Sequence, residues 1–385
     1  MRILKYLDFK DELNLFEATK TDPINRWASV LDFIWKKEKK YTFWTKQYEI
    51  FDKNTELMRN FLSCISSTVE ELTLWDATPG RLECWTEFEF PKMRSLRYST
   101  IFCNSDEKTR LHGNDSVPVL QLMAKLFPGL HHLNPSSFER FDLYHFAQWR
   151  HLKKLDKSYC DDFGALKSAI ENGSFQMLEN LSILEEDLND ECFNMLINLP
   201  NLRTIVMLCG SDCVISLDRR IQMRAEDIEH IILEFFYLNG LDNVSKLINV
   251  RQLTFIDMRE DMFVDQDLDE LITSLPQLER LDFKNVGHFE CENELWNIVA
   301  DCPSLKIFRM LKKKLGKDFI SSDRSLMENV LNKRSTHLSL YFQVPEEVEN
   351  LIRLYFKHPK LNVSFEPLEF EEIGKDSLTF HYRKT

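Results

Sequence analysis

Glycine is scarce in this sequence, with 10 among 385 residues. Enzymes that cradle phosphates or dinucleotides use glycine-rich turns, which let the backbone approach the ligand closely. The sequence contains neither a Walker-type loop nor a dinucleotide glycine fingerprint, and the motifs G-x-S-x-G and H-E-x-x-H are missing as well. The sequence therefore predicts a protein that is not an enzyme and that needs no cofactor.

A surplus of basic residues and long apolar runs are also missing. The chain has 62 acidic and 49 basic residues, for a formal net charge of −13, whereas proteins that bind nucleic acids usually carry a basic surface. No window approaches the roughly 18 uncharged apolar residues of a membrane span, and the first residues lack the apolar core of a signal peptide. We therefore expect neither a nucleic acid nor a membrane as a partner.

The nine cysteines form an odd set without framework spacing. Several lie within or beside apolar phrases, as Cys64, Cys192 and Cys302 do, which favours reduced thiols in a cytoplasmic and/or nuclear protein. An extracellular repeat protein closed by disulfides is the alternative. Cys209 and Cys213 have metal-like spacing, but no second pair accompanies them, so we predict ordinary thiols and no metal site.

One apolar phrase recurs along the chain. Residues 275–283 read LPQLERLDF, residues 199–207 read LPNLRTIVM and residues 302–310 read CPSLKIFRM. In each phrase apolar residues alternate with polar ones after a first anchor, which predicts a strand with one buried face. The middle anchors of the series are Leu72, Leu96, Leu133, Leu155, Leu181, Ile205, Ile231, Leu253, Leu281, Phe308, Leu338 and Leu361.

The spacing of these anchors indicates a repeat architecture. Successive anchors are 22 to 28 residues apart, except for 37 residues between Leu96 and Leu133 and 30 between Phe308 and Leu338. Leucine-rich repeats have periods of roughly 20–29 residues, and the polar residues 104–118 explain the longest interval as a surface loop. The predicted fold class is an α/β solenoid, a leucine-rich-repeat horseshoe with about twelve irregular repeats in residues 69–365.

The asparagine that follows the third anchor in many leucine-rich repeats is absent here. Met258, Val286 and Phe236 stand at that position. Because the asparagine side chain normally satisfies buried turn backbone, we expect other groups to do so in this chain.

Residues 1–40 are predicted to form a short all-helical cap. Their text, ILKYLDFKDELNLFEATKTD followed by RW, resembles the F-box, a module of three helices with an Ile-Leu-x-x-Leu helix, a D-x-x-D-Leu turn and a late aromatic. Trp27 or Trp35 would be that aromatic. This stretch lies directly before the predicted leucine-rich repeats, and F-box/leucine-rich-repeat proteins have the same order of modules. The usual Leu-Pro-x-Glu start is absent, and Ala18 and Thr19 replace the usual cysteine.

The resemblance implies a role in a Skp–cullin–F-box ubiquitin ligase. The cap would dock the adaptor subunit of the ligase, and the repeats would hold a substrate protein for ubiquitination and proteasomal degradation. The alternative is a leucine-rich-repeat scaffold or regulator without ligase association, and a third reading is an enzyme inhibitor. The implied adaptor-binding residues are Ile3, Leu4, Tyr6, Leu7, Asp11, Leu13 and Leu15.

The substrate would bind on the concave side of the strands. Side chains between the anchors point there, and they form an apolar centre with charged flanks, as in protein-docking sites. The alternative is that a loop or the C-terminal tail covers this surface, or that the strand register is shifted by one residue. The predicted substrate-binding residues are Thr204, Val206, Leu208, His230, Ile232, Glu234, Thr254, Ile256, Arg280, Asp282, Lys284, Arg309, Leu311 and Tyr341.

Two further segments complete the predicted organisation. Residues 41–68, which include aromatic residues and a helical apolar pattern, are expected to be linker helices. Residues 366–385 end in an alternating phrase around Phe380 and are expected to form a C-terminal cap with a closing strand.

Overall fold

The computed structural model contains two compact units, residues 1–183 with 187–201 and residues 184–186 with 202–385. In both units strands alternate with helices or short helical turns. The residues that the structure describes are 8–19, 26–75, 77–99, 117–135, 142–185, 188–208, 217–221, 224–234, 244–257, 271–285, 294–311, 324–370 and 377–383.

The first unit begins with two helices, α1 (Phe9–Thr19) and α2 (Arg26–Lys37), which pack against each other. The backbone amide of Asp11 donates to the Asp8 carboxylate at 2.8 Å, so Asp8 caps the start of α1. Leu13 and Trp35 are fully buried. A small helical layer therefore precedes the strands.

The strands of the first unit run parallel in chain order. They are β1 (Lys40–Phe43), β2 (Glu71–Trp75), β3 (Ser95–Ser99), β4 (His132–Pro135), β5 (Lys154–Ser158) and β6 (Asn180–Leu184). The helices that follow α2 are α3 (Thr45–Lys53), α4 (Thr55–Ile65), α5 (Pro79–Leu82), α6 (Val117–Leu126), α7 (Phe163–Glu171) and α8 (Asp190–Ile197).

The strands begin earlier than predicted. Residues 41–68 contain not only the expected helices but also most of β1, which pairs with β2 in parallel. Tyr41 and Phe43 are buried and lie in register with Leu72 and Leu74, so they take the place of leucine anchors. The leucine pattern missed this strand because its anchors are aromatic.

In the described residues of the second unit, seven strands follow one another in solenoid order, and an eighth comes from the C-terminal part of the chain. The strands are β7 (Thr204–Leu208), β8 (Ile228–Glu234), β9 (Gln252–Ile256), β10 (Arg280–Lys284), β11 (Ile307–Leu311), β12 (Leu338–Gln343), β13 (Leu361–Ser364) and β14 (Ser377–Tyr382). The helices are α9 (Leu217–Ile221), α10 (Glu294–Asp301), α11 (Arg324–Lys333) and α12 (Glu346–Tyr355).

Equivalent anchors of neighbouring repeats stack in register. Leu281 of β10 pairs with Leu253 of β9 on one side and with Phe308 of β11 on the other. All three are fully buried. This stacking of anchors across parallel strands is the arrangement by which a solenoid builds a continuous core from short repeats.

One predicted anchor is displaced by two residues. Phe308 pairs with Leu340 rather than with Leu338, and Leu340 in turn pairs with Val363. Because side chains alternate with a period of two, a shift of two residues keeps the same face buried. The interval from Phe308 to the equivalent anchor of the next repeat, Leu340, is therefore two residues longer than the leucine pattern suggested.

The C-terminal strand lies inside the sheet of the second unit. β14 is inserted between β7 and β8 and runs antiparallel to both. Phe380 pairs with Ile205 on one side and with Ile231 on the other. This position differs from the closing strand at the C-terminal end that the sequence predicted, because the alternating pattern of a strand does not specify its neighbours.

Polar side chains satisfy the backbone of the turn that precedes several strands. In three repeats the residue directly before the first anchor donates to a backbone carbonyl of the preceding repeat. The donors and acceptors are Asn201 to Gln176, Asn249 to Glu226 and Ser304 to Pro276, at 2.6, 2.7 and 3.0 Å. These donors lie before the strand, so they satisfy a turn other than the one after the third anchor that the usual asparagine reaches.

The expected state of the cysteines was wrong for one pair in the first unit. Cys160, after β5, and Cys192, in α8, are joined as a disulfide. Cys64, Cys84 and Cys302 are free thiols. Cys209 and Cys213 lie outside the described residues. The sequence could not pair Cys160 with Cys192, because no spacing rule relates two cysteines of neighbouring repeats.

Candidate partner-binding surface

In each strand, the side chains between the anchors form what we call the outward face. In the first unit this face carries stacked aromatic rings. Trp44, which follows β1, is 51% exposed, and its ring stacks on Trp75 of β2 with centroids 4.9 Å apart and planes 7° apart. The guanidinium of Arg97 in β3 lies 5.3 Å from the Trp75 ring. We call these three residues the tryptophan platform.

A row of polar side chains continues the outward face beyond the platform. His132 of β4 lies between Ser95 of β3 and Asp156 of β5. Its Nδ1 is 3.2 Å from the Ser95 hydroxyl, and its Nε2 is 2.8 Å from the Asp156 carboxylate. The Lys154 ammonium lies 3.6 Å from the same carboxylate. The outward face of the first unit thus offers aromatic surface beside polar groups.

In the second unit the predicted apolar centre is buried. Ile232 and Ile256 are 1% exposed, so the expectation that they form an open docking surface was wrong. Thr379 of β14 pairs with Val206 and Ile232 and is itself fully buried, so the outward face is covered at this point. The predicted residues that are buried are Thr204, Ile232, Glu234, Thr254, Ile256 and Asp282.

The other predicted residues of the second unit are half-buried. They lie at the edges of the covered region and on the strands toward β12. These residues are Val206, Leu208, His230, Arg280, Lys284, Arg309, Leu311 and Tyr341. At these positions the outward face therefore still offers charged and polar groups that a partner can reach.

Asp282 is a buried carboxylate between two arginines. Arg280 Nη2 lies 2.8 Å and Arg309 Nη1 lies 3.5 Å from its Oδ2, and the Gln252 amide donates to the same oxygen at 3.2 Å. Burial raises the pKa of Asp282 to about 6, against the opposing effect of Arg280. The role of Asp282 is therefore to hold the two guanidinium groups in place. Its own side chain is too buried to be a contact surface for a partner.

The N-terminal residues implied by the F-box resemblance are only partly described. On α1, Asp11 is exposed, Leu15 is half-buried and Leu13 is fully buried. Phe9, at the start of α1, contacts the rings of Phe43 and Phe61 at 5.5 and 4.9 Å. Helix α1 is thus fixed against β1 and α4. Ile3, Leu4, Tyr6 and Leu7 lie outside the described residues.

The described residues contain no group of three or more His, Cys, Asp or Glu side chains placed to hold a metal ion. Within the same residues, every helix is too short or too polar to cross a membrane.

Sequence reasoning missed the tryptophan platform. Trp75 follows the third anchor Leu74, so alternation along β2 places it on the outward face. That signal was available in the sequence. Trp44 could not be paired with it, because β1 had not been recognised and the two residues are far apart in the chain.

Two solved structures of bacterial proteins are similar to this chain. The chain is similar to an internalin from Listeria monocytogenes, with 12% identity, 94% of this chain and 96% of that chain covered, and a TM-score of 0.37. It is also similar to a leucine-rich-repeat protein from Leptospira interrogans, with 12% identity, 86% and 90% coverage, and a TM-score of 0.34. No protein-family model and no curated protein matches the sequence.

The class of protein follows from the repeats themselves rather than from these similarities. Parallel strands with stacked anchors define an α/β solenoid of the leucine-rich-repeat type. In solenoids of this kind the extended strand face serves as a binding surface for other proteins.

Proposed function

We propose that this chain is the substrate-recognition subunit of a Skp–cullin–F-box ubiquitin ligase. The N-terminal helices dock the adaptor subunit, and the outward face of the strands holds a substrate protein. The chain itself catalyses no reaction, and it works in the cytoplasm or the nucleus, where Cys160 and Cys192 would be kept as reduced thiols. Its contribution to ubiquitin transfer is proximity, since holding a substrate lysine near the charged conjugating enzyme raises the effective concentration of that lysine.

The observation that best supports a partner-binding role is the tryptophan platform. Tryptophan and arginine are the residues that most often dominate the energy of protein interfaces. A half-exposed tryptophan that is held flat against a second ring presents a rigid apolar surface, which a partner can cover at little cost in side-chain entropy. The neighbouring row of Ser95, His132 and Asp156 supplies hydrogen-bonding groups.

Two observations support the adaptor-binding role: the sequence of residues 3–15 resembles the F-box, and Asp11 on α1 is exposed. One observation favours the alternative of a scaffold without ligase association. Leu13, which the resemblance places among the adaptor-binding residues, is fully buried in the helical layer. In a scaffold, α1 and α2 would serve only to cover the end of the first repeats.

A binding assay with the purified adaptor subunit separates the two functions. We expect the full-length chain to retain the adaptor on an affinity resin, and the double variant Leu7→Asp with Asp11→Lys to lose it. Leu13 is left unchanged, because a buried carboxylate would unfold the helical layer.

The matched control is Asn14→Lys, which adds a positive charge at an exposed position of the same helix that is not among the implied adaptor-binding residues. It should bind the adaptor as the unaltered chain does. No retention of the adaptor by any of the proteins would argue for the scaffold. Equal retention by all of them would show that the adaptor binds a surface other than the implied residues. Circular dichroism checks that each variant keeps its fold.

A further inference from the structure

The six residues 365–370, FEPLEF, form what we call the C-terminal segment. They follow β13 and adopt neither helix nor strand. An aromatic ring at each end of the segment lies against an arginine. The Arg353 guanidinium of α12 is 4.3 Å from the Phe365 ring, and the Arg309 guanidinium of β11 is 4.8 Å from the Phe370 ring. The segment is therefore held at both ends by cation–π contacts.

Side chains of the strands also hold the backbone of the segment. The Leu368 amide donates to the Gln343 side-chain oxygen at the end of β12, at 3.2 Å. Arg309 Nη2 donates to the Glu369 carbonyl at 2.5 Å. A chain segment fixed by side chains that bind its backbone and its aromatic residues is held by the kinds of contact that hold a peptide ligand.

Arg309 connects this segment to the outward face. Its side chain lies between the anchors Phe308 and Met310 of β11, and its Nη1 is 3.5 Å from the buried Asp282. Asp282 thus positions the guanidinium that contacts Phe370 and the Glu369 carbonyl. The second half of the C-terminal segment, from Leu368 to Phe370, therefore lies at the part of the outward face that keeps reachable charged groups.

We propose that Arg309 and Gln343 on the outward side of β11 and β12, together with Arg353 of α12, form a binding site for protein segments that carry an aromatic residue at each end of a short acidic stretch, and that residues 365–370 occupy this site within the chain. A partner segment of the same chemistry binds by displacing them. This inference deepens the proposed partner-binding function and rests on it, but it does not depend on the ligase adaptor.

The contacts of the segment suit displacement. Glu366, Pro367 and Glu369 are exposed, and Phe365, Leu368 and Phe370 are half-buried rather than part of the core. The segment is tethered on one side by β13 and on the other by β14, which keeps its effective concentration at the site high. A free segment of equal intrinsic affinity therefore binds only when the tethered one is weakened.

The test uses the full-length chain and a fluorescein-labelled peptide of sequence FEPLEF. Fluorescence anisotropy compares the unaltered chain with Phe370→Ala and with the double variant Phe365→Ala, Phe370→Ala. We expect both variants to bind the peptide at least about tenfold more tightly than the unaltered chain, because the tethered competitor is weakened. Phe370→Ala leaves the contact of Phe365 with the buried Phe342, at 6.3 Å, so it keeps the local packing.

Three controls make the outcome specific. A peptide of sequence AEPLEA should not bind, and adding Arg309→Ala to Phe370→Ala should abolish the binding gained. Leu354→Ala, at an exposed position of α12, should behave as the unaltered chain does. Equal peptide binding by the unaltered chain and the folded variants, or no binding by any of them, overturns the proposal. Because no adaptor is present, either result leaves the ligase hypothesis to its own assay.

Discussion

His381 of the last strand stacks on His230 of β8, with ring centroids 4.7 Å apart and planes 12° apart. The two residues are direct partners in the antiparallel pairing of β14 with β8. His381 Nδ1 lies 3.1 Å from the Thr204 hydroxyl of β7, and His230 Nε2 lies 3.0 Å from the Thr254 hydroxyl of β9. One row of side chains thus joins four strands of the second unit, and it ties the C-terminal strand to the strands on both sides of it.

The first prediction concerns stability in mild acid. Burial, with the nearby His381 and Arg280, lowers the pKa of His230 to about 2. The native state holds this imidazole neutral, while the unfolded chain takes up a proton near pH 6.5. The contribution of His230 to stability is therefore complete above pH 6.5 and is lost as the pH falls, by up to about 1.4 kcal/mol per pH unit. Urea unfolding between pH 7.5 and pH 5 measures this slope.

Asp282 acts in the opposite direction in part of this range. Its raised pKa, about 6, means that the native state binds a proton more readily than the unfolded chain, so its contribution grows as the pH falls through 6. The difference between the unaltered chain and His230→Gln, which retains Asp282, isolates the histidine. An identical pH slope in the two proteins would contradict the assignment.

The second prediction concerns the inserted strand. Phe380 is fully buried and pairs with Ile205 and Ile231. Phe380→Ala should lower the free energy of unfolding of the second unit by about 3–5 kcal/mol, because it removes a large core side chain. Hydrogen exchange should show faster exchange of the amides of β7 and β8. The control is Arg383→Ala at an exposed position, where a change within about 0.5 kcal/mol is expected.

The third prediction concerns a buried arginine that caps a turn. Arg334 donates to the backbone carbonyls of Val299 at 3.0 Å and Cys302 at 3.1 Å, and to that of Leu305. Arg334→Met should cost on the order of 3 kcal/mol, since it leaves buried carbonyls without donors. Arg334→Lys should recover only a minor part of this stability, because an ammonium group cannot reproduce the planar arrangement of donors in a guanidinium. Chemical denaturation measures both.

The matched control for Arg334 is Arg324→Ala at an exposed position of α11. Its ion pair with Glu328, at 3.0 Å, lies on the surface and should contribute no more than about 1 kcal/mol. Equal losses for Arg334→Met and Arg324→Ala would show that the three carbonyls find other donors.

The fourth prediction separates binding from stability at two tryptophans. Trp85 is fully buried, and Trp85→Ala should destabilise the first unit by about 3–5 kcal/mol. Trp44 is half-exposed. Trp44→Ala should lower the free energy of unfolding by only about 1 kcal/mol, which is the contribution expected from its stacking on Trp75. Thermal unfolding measures the contrast. A loss at Trp44 as large as that at Trp85 would mean that Trp44 is a core residue, not a binding residue.

The repeats could be predicted because each anchor carries its own local signal. Leu253, Leu281 and Phe308 are spaced by one repeat and alternate with polar residues, and the structure stacks them in register. The position of β14 could not be predicted. Phe380 and its neighbours show that they form a strand, but the choice of β7 and β8 as partners depends on residues far away in the chain.

The candidate site was less predictable than the fold. Alternation placed Ile232 and Ile256 correctly between the anchors, yet both are buried, because the pattern of one strand does not report what covers it. Arg309 was predicted on the outward face and contacts the C-terminal segment there. Trp44 was missed because it belongs to a strand–helix junction without leucine.

The association of the chain with a ligase adaptor is tested most directly by calorimetric titration of the purified adaptor into the full-length chain. We predict a 1:1 complex with a Kd of about 1 µM or tighter, which is lost in the Leu7→Asp, Asp11→Lys variant and kept in Asn14→Lys. The absence of binding heat at about 100 µM, with the chain folded, would contradict it and leave a leucine-rich-repeat scaffold with a helical cap.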